Sequence, residues 1–321
     1  MQPIRIAVIG TGYLGRFHTE KLNTIPTATL TAVVDLDYAR AHALAAPLGV
    51  PAYTNYRDLL GGVDAVSIAS STPSHFTIAQ FFLEHGVHVM VEKPITMTTT
   101  EADTLITTAD NNRCLLQVGH IEQFNPVVCA ARSLIKQPDH IAAIRRAPFS
   151  SRSAVVDVVL DIMIHDLELI QSFIPSTVTE ISAHGASIIT EKTDIAHAHL
   201  RFANGSHAHC TASRTDQISE RRIRLQQHHS FLDLNLQQHQ LTSESVDRTK
   251  NPAKMQEKSI TFTNYDALTA QLSAFIESII NNSPVLVNGT RARNALHLAH
   301  AVRTSIASQH ILSYDEHAHY G

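Results

Sequence analysis

Short apolar runs alternate with amphipathic stretches over the first 120 residues of the chain. The apolar runs predict strands at 4–9, 29–34, 64–69, 87–91 and 114–118. The stretches between them have helical periodicity, for example Tyr13 to Asn23 and Tyr38 to Leu48. Strands that alternate with helices are typical of a parallel sheet covered by helices on both faces. The pattern therefore predicts a doubly wound parallel sheet in this half of the chain.

The pattern changes after about Asn125. A helix predicted over about 157–173 is followed by strand-like segments at 177–187, 193–203, 206–215, 221–227, 230–236 and 257–263. Within this series the polar run 237–258 is expected to contain a loop, and two helices, about 265–281 and 290–308, close the chain. Strands that follow one another without helices indicate an open, mostly antiparallel sheet, so this half is predicted to be α+β.

A Gly-x-Gly-x-x-Gly turn follows the first strand, at Gly10, Gly12 and Gly15. Gly10 permits a tight turn, Gly12 lets a pyrophosphate approach the backbone, and Gly15 lets the next helix pack against the strand. The N–H groups at the start of that helix can then hold phosphates. The second strand ends at Asp35, whose carboxylate can accept hydrogen bonds from ribose hydroxyls and would repel a 2′-phosphate. The segment therefore predicts an NAD-binding site rather than an NADP-binding one.

These patterns divide the chain into an N-terminal Rossmann domain over 1–121 and a substrate-binding and oligomerisation domain over 122–289. The last helix, 290–308, is expected to pack back on the first domain. An open sheet exposes a face that favours a cover, so we expect a homodimer or a homotetramer.

Composition narrows the class of protein. The 321 residues are 44% hydrophobic and carry a net charge of −4, without a basic block that would bind nucleic acid. The apolar runs are too short to span a membrane, and the chain enters its first strand without a signal peptide. Three widely spaced cysteines, Cys114, Cys129 and Cys210, favour a reducing compartment. We therefore expect a cytoplasmic protein with no membrane partner.

Histidine is unusually common, with 21 copies. The best metal-site candidate is His197-Ala-His199 and His207-Ala-His209, which flank Asn204-Gly205. If Asn-Gly forms a two-residue hairpin turn, Phe202 pairs with His207 and His199 pairs with Cys210. The two histidine pairs then lie on opposite faces of the sheet and cannot share a metal ion in that register. We therefore predict no metal site.

Lys93 is the first candidate for catalysis. It lies in Val87-His-Val-Met-Val-Glu92-Lys93-Pro94, at the carboxyl end of a predicted parallel strand, where such sheets bind ligands. A lysine close to a cationic nicotinamide, or partly desolvated, could transfer a proton to or from a substrate hydroxyl. The alternative is a solvated lysine at the start of a loop.

Asp161 and His165 form the second candidate. They are four residues apart in a predicted helix with apolar neighbours, so they share one face of that helix. A histidine can serve as an acid or base, and an aspartate can orient it or bind a sugar hydroxyl. The alternative is a structural pair within the core.

The order of these motifs resembles the glucose–fructose oxidoreductase/inositol dehydrogenase (Gfo/Idh/MocA) family over nearly the whole chain. The resemblance implies a Rossmann domain, a second domain with an open sheet, and a nicotinamide cofactor that serves to oxidise or reduce a sugar-like hydroxyl. It also implies that Lys93 and His165 are the catalytic pair, that Asp161 binds substrate, and that the Lys93-Pro94 peptide is cis. Either Lys93 or His165 would take the hydroxyl proton.

One segment departs from the family pattern. The Thr-Pro usual after the fourth strand is replaced by Ser70-Ser71, and Thr72-Pro73 is displaced toward His75. By resemblance, the residues expected to bind NAD are Gly10, Gly12, Tyr13, Leu14, Gly15, Asp35, Ser70, Ser71, His75, Glu92, Lys93 and Gln123.

A narrower resemblance links Gly119 to Pro126 and Val158 to Asp166 with the UDP-N-acetylglucosamine 3-dehydrogenase branch of the family. Between these segments lies Arg145-Arg146-Ala-Pro-Phe149-Ser-Ser-Arg152, which contains three arginines whose planar guanidinium groups suit a diphosphate. The residues expected to bind substrate are Lys93, His120, Glu122, Phe124, Asn125, Arg145, Arg146, Arg152, Asp161 and His165.

The branch implies NAD-dependent oxidation of the 3-hydroxyl of a UDP-sugar to a 3-keto sugar. A sugar aminotransferase would then convert the product into a 3-amino sugar for lipid A. Two alternatives remain open at this point: a dehydrogenase of a free sugar or polyol, and a non-catalytic protein that senses NAD or a sugar on the same fold.

Overall fold

The computed structural model describes residues 2–150, 156–247, 254–318 and 320. The chain divides into two units, Met1–Ile121 with Asp266–Arg293 and Glu122–Tyr265 with Asn294–Gly321. Each unit has its own β-sheet. Within the described residues, no helix combines the length and apolar character that crossing a bilayer requires.

The strands of the first sheet are β1 (Ile4–Ile9), β2 (Ala28–Val34), β3 (Ala52–Tyr53), β4 (Ala65–Ile68), β5 (His88–Glu92) and β6 (Leu116–Gly119). Those of the second are β7 (Pro138–Arg146), β8 (Val178–Ala186), β9 (Ile195–Phe202), β10 (His207–Ser213), β11 (Glu220–Gln227), β12 (Ser230–Asn235), β13 (Gln240–Asp247), β14 (Lys254–Thr261) and β15 (Leu312–Ser313).

The helices are α1 (Tyr13–Leu22), α2 (Tyr38–Ala45), α3 (Thr72–Glu84), α4 (Thr99–Asn111), α5 (Pro126–Ala131), α6 (Ile164–Phe173), α7 (Ala267–Asn281) and α8 (Gly289–Ser308). A π-helix, Val159–Met163, leads directly into α6. Short 3-10 turns lie at Ala46–Leu48, Tyr56–Leu59 and Ile121–Phe124.

The first sheet is parallel throughout, in the order β3-β2-β1-β4-β5-β6. This confirms the predicted doubly wound sheet. The chain leaves β1 toward β2 on one side and later returns to place β4 on the other. The carboxyl ends of β1 and β4 therefore flank the point where the strand order reverses, which is where such sheets bind ligands.

Helix α7 belongs to the first unit, although we expected residues 266–289 in the second domain. Its side chains Phe275 and Ile276 are fully buried in a cluster with Ile6 and Leu22. The helical pattern alone could not show this, because an amphipathic helix can cover either sheet.

Helix α8 begins in the first unit and continues in the second, so the expectation that residues 290–308 pack on the first domain holds only up to Arg293. Further along, Ser305 Oγ accepts a hydrogen bond from Ala183 N at 3.0 Å. Gly185 lies so close to Ile306 that a Cβ there would be 2.9 Å from its side chain. These contacts hold the later turns of α8 on β8.

The second sheet has the order β14-β13-β12-β11-β7-β10-β9-β8-β15, and only β7 and β10 pair in parallel. The predicted open, mostly antiparallel sheet is therefore confirmed. Strand β7 was not predicted. Strand β13 occupies part of the run 237–258, where we expected a loop. Leu241 is the only buried residue among those of β13 whose side chains are described, so the strand has no apolar alternation to reveal it.

The register of the β9–β10 hairpin differs from the predicted one. His207 pairs with Arg201, and His209 pairs with His199. The two strands are joined by residues 203–206 and not by a two-residue turn. Within this connection, Asn204 Oδ1 accepts a hydrogen bond from Ser206 N at 3.1 Å. Since a shift of one residue reverses the faces, His199 and His209 share one face, with ring centroids 4.4 Å apart. Among the described residues, no group of three or more His, Cys, Asp or Glu is arranged to hold a metal ion.

Candidate active site

The glycine turn after β1 is held by close backbone contacts. Gly10 has a φ of +93°, and its N–H donates to Val34 O at 2.8 Å. A Cβ at Gly10 would lie 2.6 Å from Ser70 N, and a Cβ at Gly15 would overlap the carbonyl oxygen of Gly10. By contrast, a Cβ at Gly12 would meet no atom within 4 Å. The turn is therefore packed against main-chain atoms at Gly10 and Gly15 and accessible at Gly12, as a phosphate-binding site requires.

Asp35 is fixed beside this turn by hydrogen bonds. Its Oδ2 accepts from Thr11 N at 2.8 Å and from Thr11 Oγ1 at 2.7 Å, and its Oδ1 accepts from Asp37 N at 3.0 Å. Burial alone would raise the pKa of the Asp35 carboxyl, but the hydrogen bonds from Asp37 and Thr11 hold the pKa below its usual value. The carboxylate is therefore ionised and oriented at neutral pH.

The other residues expected at the cofactor differ in their surroundings. Tyr13 and Leu14, at the start of α1, are 59% and 40% exposed, so both are available to a ligand. His75 is buried, with Nδ1 2.9 Å from Pro94 O and Nε2 3.1 Å from Ser70 O. Burial lowers the pKa of His75, although the two carbonyls oppose this. His75 therefore lies between the segment after β4 and the segment after β5.

Lys93 follows β5 directly and is half-buried, and the Lys93–Pro94 peptide is cis, as the resemblance implied. The preceding residue, Glu92, is buried, and its carboxylate fills the space that a Cβ of Gly119 would need. Glu92 is thus a packed residue beneath the end of the strand. The carboxylate Oε2 lies 3.4 Å from Lys93 N, which donates to it.

His120 is a neutral imidazole close to Lys93. Its side chain is buried immediately after β6. Burial, followed by the positive charges of Lys93 and Arg291, lowers the pKa of His120 to about 3. At neutral pH this side chain can form hydrogen bonds, but it is not protonated and cannot act as a general acid.

In the second unit, Asp161 lies in the π-helix and His165 lies in the first turn of α6. Both are half-buried. Asp157 Oδ1 accepts hydrogen bonds from Val159 N at 3.0 Å and Leu160 N at 3.1 Å, which satisfies donors at the start of the π-helix. Single π-turns are frequent at functional sites, and the sequence contained no signal for this one.

Arg145, which we expected to bind substrate, is buried in an ion network. Its Nη2 donates to Asp166 Oδ1 at 2.7 Å and its Nη1 donates to Glu122 Oε1 at 2.6 Å. Arg221 adds a second cation, 3.5 Å from Glu122. The two carboxylates raise the pKa of Arg145 further above its usual value, although burial opposes this. Arg145 is therefore committed to Asp166, the neighbour of His165, rather than to a diphosphate.

Arg146 has a different environment because consecutive strand residues point to opposite faces. Its side chain is 42% exposed and forms loose ion pairs with Asp216 and Glu220, at 3.9 and 3.7 Å. It lines a surface cavity of about 290 Å³ with Arg222 and Asn235. The substrate role expected of Arg146 therefore stays a prediction, whereas the guanidinium of Arg145 is occupied by carboxylates. Arg152, the third arginine, lies outside the described residues.

Residues 122–125, after β6, are buried. Gln123 Nε2 donates to Glu168 Oε2 at 2.7 Å, and Asn125 Nδ2 donates to Glu122 Oε2 at 3.2 Å. Phe124 is also buried. These contacts place Gln123 and its neighbours in the packing of the second unit. The cofactor role expected of Gln123 and the substrate roles expected of Glu122, Phe124 and Asn125 stay predictions.

Sequence reasoning missed several supporting residues. Thr11 orients Asp35, and His18 lies between Ser67 and Glu92. Arg303 pairs with Asp157, Nε to Oδ2 2.8 Å. Only His18 carried a usable signal, as a histidine among the buried positions of an amphipathic helix; the other contacts join residues distant in sequence.

Comparison with known proteins finds a family match for the N-terminal part of the chain and another for the C-terminal part. Residues 4–120 match the oxidoreductase family with an NAD-binding Rossmann fold, and residues 131–228 match the GFO/IDH/MocA C-terminal domain. The UDP-N-acetylglucosamine 3-dehydrogenase of Acidithiobacillus ferrooxidans is 33% identical over 306 residues, which cover 94% of this chain and 97% of that protein. The chain belongs to the Gfo/Idh/MocA oxidoreductase family.

Solved structures and further relatives agree with this membership. The crystal structure of the A. ferrooxidans enzyme matches with a TM-score of 0.90, covering 96% of this chain and 99% of that chain at 33% identity. The myo-inositol 2-dehydrogenase of Thermotoga maritima is 26% identical over 98% of this chain and 99% of that protein. A levoglucosan dehydrogenase in complex with NADH shares the fold at 14% identity, with a TM-score of 0.89 and coverage of 98% and 100%.

The first unit is therefore an NAD-binding Rossmann domain, and its residues fit the cofactor. The backbone is open at Gly12, closed at Gly10 and Gly15, and flanked by the ionised Asp35. We expect the N–H groups at the start of α1 to hold the pyrophosphate and Asp35 to hold the ribose.

The Asp35→Ala variant tests the ribose assignment. We expect NAD+ affinity to fall about tenfold or more, because hydrogen bonds to charged groups contribute about 1.5–3 kcal/mol. NADP+ affinity should fall less or rise, because the repulsion is removed. Dissociation constants for both cofactors, measured by calorimetry from about pH 6 to 9, decide this. In the wild-type protein the contribution of Asp35 to the preference for NAD+ should be constant over this range, because its carboxylate stays ionised.

Asp37→Ala is the matched control for this experiment. Asp37 caps α2 two residues further on, and its loss should leave the ratio of the two affinities unchanged. Equal losses of NAD+ and NADP+ affinity in Asp35→Ala would contradict the discriminating role.

The Arg145→Met variant tests the buried network. We expect a loss of about 3–5 kcal/mol in unfolding free energy, because two carboxylates would remain buried with one exposed cation. Urea unfolding followed by circular dichroism measures this. Arg146→Met, its exposed neighbour, should cost less than about 1 kcal/mol. Similar losses in the two variants would show that Arg145 is not the central cation.

Proposed function

We propose that the chain oxidises the 3-hydroxyl of UDP-N-acetylglucosamine to the 3-keto nucleotide sugar. The observation that carries this proposal is the 33% identity to a UDP-N-acetylglucosamine 3-dehydrogenase over 94% of the chain. Family membership and an NAD-binding Rossmann domain supply the reaction class, an NAD-dependent dehydrogenase acting on a CH–OH group.

The proposed chemistry needs one base for the hydroxyl. NAD+, when bound, supplies the hydride acceptor for C3. Lys93 or His165 takes the proton of the 3-hydroxyl as the carbonyl forms, and Asp161 binds the sugar. His120 is neutral, so it contributes a hydrogen bond and not a charge. The diphosphate would use Arg146 or Arg152, since Arg145 is committed to carboxylates.

The product has a ketone next to an acetamido carbon, which makes it a substrate for a sugar aminotransferase. We therefore propose that such an enzyme follows and forms a 3-amino sugar for lipid A. A homodimer or homotetramer remains part of the proposal, because the second sheet has an exposed face in one protomer.

A free polyol is the second candidate substrate. It is favoured by the inositol dehydrogenases among the relatives, such as the T. maritima enzyme with 26% identity over the full length. The relative that acts on the UDP-sugar has the higher identity, so we place it first.

Substrate preference is tested by NADH formation. The protein is incubated with NAD+ and, separately, UDP-N-acetylglucosamine, UDP-glucose, free N-acetylglucosamine and myo-inositol. We expect turnover with UDP-N-acetylglucosamine and a product that has lost two hydrogens by mass spectrometry. Turnover of myo-inositol without turnover of any UDP-sugar would replace the first proposal with the second. Binding of a sugar without NADH formation would indicate a sensor.

The roles of Lys93 and His165 are tested by Lys93→Met and His165→Asn. Each should lower kcat about 10²–10⁴-fold, the usual contribution of a positioned acid or base. Lys136→Met and His197→Asn, at exposed positions of the same residue types, serve as controls. An unchanged kcat in both Lys93→Met and His165→Asn would remove the assignment.

A further inference from the structure

A chain of buried polar side chains runs from the centre of the first sheet to the residue before Lys93. His18, in α1, is fully buried, with Nδ1 2.8 Å from Ser67 Oγ of β4 and Nε2 3.2 Å from Glu92 Oε1 of β5. The contact with Glu92 is a close approach of two polar groups rather than an aligned hydrogen bond. None of these three residues contributes to the glycine turn.

The carboxylate of Glu92 is confined from two sides. His18 lies on one side of it. On the other side lies Gly119 of β6, where a Cβ would overlap the carboxylate. Glu92 and Gly119 are direct partners in the parallel ladder. A buried carboxylate requires donors, since burying an unpaired charge is costly. The backbone N–H of Lys93 donates to it at 3.4 Å, and His18 Nε2 adds a polar contact at 3.2 Å.

The two ring nitrogens of His18 face different partners. Nδ1 forms a hydrogen bond with the hydroxyl group of Ser67, and Nε2 faces the carboxylate of Glu92. The two partners thus hold the imidazole in one orientation, as second-layer partners do for ligating histidines.

We propose that His18 is a positioning residue for Lys93, acting through Glu92. The carboxylate of Glu92 accepts a hydrogen bond from the backbone N–H of Lys93 at 3.4 Å. His18 and Gly119 hold that carboxylate, and the strand end from which Lys93 projects is therefore fixed. The proposal rests on the catalytic role proposed for Lys93, where small displacements from a productive geometry reduce the rate strongly.

Two substitutions separate the contacts of His18. In His18→Gln the side-chain amide can reach the position of Nε2 and still donate to Glu92. In His18→Asn the shorter amide can reach only the position of Nδ1 and keeps the Ser67 contact. We expect kcat to fall about 10–100-fold in His18→Asn, with the NAD+ dissociation constant within about twofold, and to be largely retained in His18→Gln. His42→Asn, an exposed helical histidine of the same unit, is the control.

A second measurement does not depend on turnover. The free protein is labelled with acetic anhydride, and the acetylation rate of Lys93 relative to the exposed Lys136 is measured by mass spectrometry. We expect the relative rate to rise at least about threefold in His18→Asn and to be near the wild-type value in His18→Gln and His42→Asn.

The outcomes distinguish this inference from the proposed function. If no substrate is turned over, the labelling ratios still decide whether His18 positions Lys93. Equal loss of kcat in His18→Gln and His18→Asn, in proportion to their loss of thermal stability, would indicate a structural role only. Unchanged labelling of Lys93 in a folded His18→Asn protein would also overturn the inference.

Discussion

The cofactor-binding domain depends on close contacts between main-chain segments at Gly10 and Gly15. A Cβ at either position would overlap main-chain atoms, of Ser70 in one case and of Gly10 in the other. This contact brings together the end of β1, the start of α1 and the segment after β4. Because these three segments are fixed, the N–H groups of α1 and the carboxylate of Asp35 are arranged before any cofactor binds, which lowers the cost of binding.

The two units stabilise their functional helices and strands in different ways. In the first, polar side chains surround the strand end at Lys93: His75 lies between two backbone carbonyls, and His18 lies between Ser67 and Glu92. In the second, full charges are buried beneath His165. Arg145 binds Asp166 and Glu122, and its removal would be destabilising because two carboxylates would stay buried without it. A buried ion network of this kind specifies the orientation of α6 more than it adds net stability.

The position of Asp161 depends on a feature that is rare in helices. A π-turn inserts an extra residue into the hydrogen-bonding period and redirects the side chains that follow. Asp157 satisfies the first N–H groups of this turn, and Arg303 pairs with Asp157 from the last long helix. The segment that precedes the proposed substrate-binding aspartate is therefore held by a residue almost 150 positions further along the chain.

Local chemistry was sufficient for the parts of this protein that depend on neighbours in sequence. Alternating strands and helices predicted the Rossmann sheet, the glycine spacing predicted the turn, and the end of β2 located Asp35. The same holds for Lys93 at the end of a strand and for the helical segment that carries Asp161 and His165.

Tertiary structure decided the strand register and the partners of the charged side chains, because these depend on residues far apart in sequence. Strands β9 and β10 are joined by residues 203–206 rather than by a two-residue turn, and the resulting register places His199 and His209 on one face. The strand alternation at Arg145 and Arg146 separated two arginines that the sequence placed side by side, and the partners of Arg145 converted an expected ligand contact into a buried ion pair.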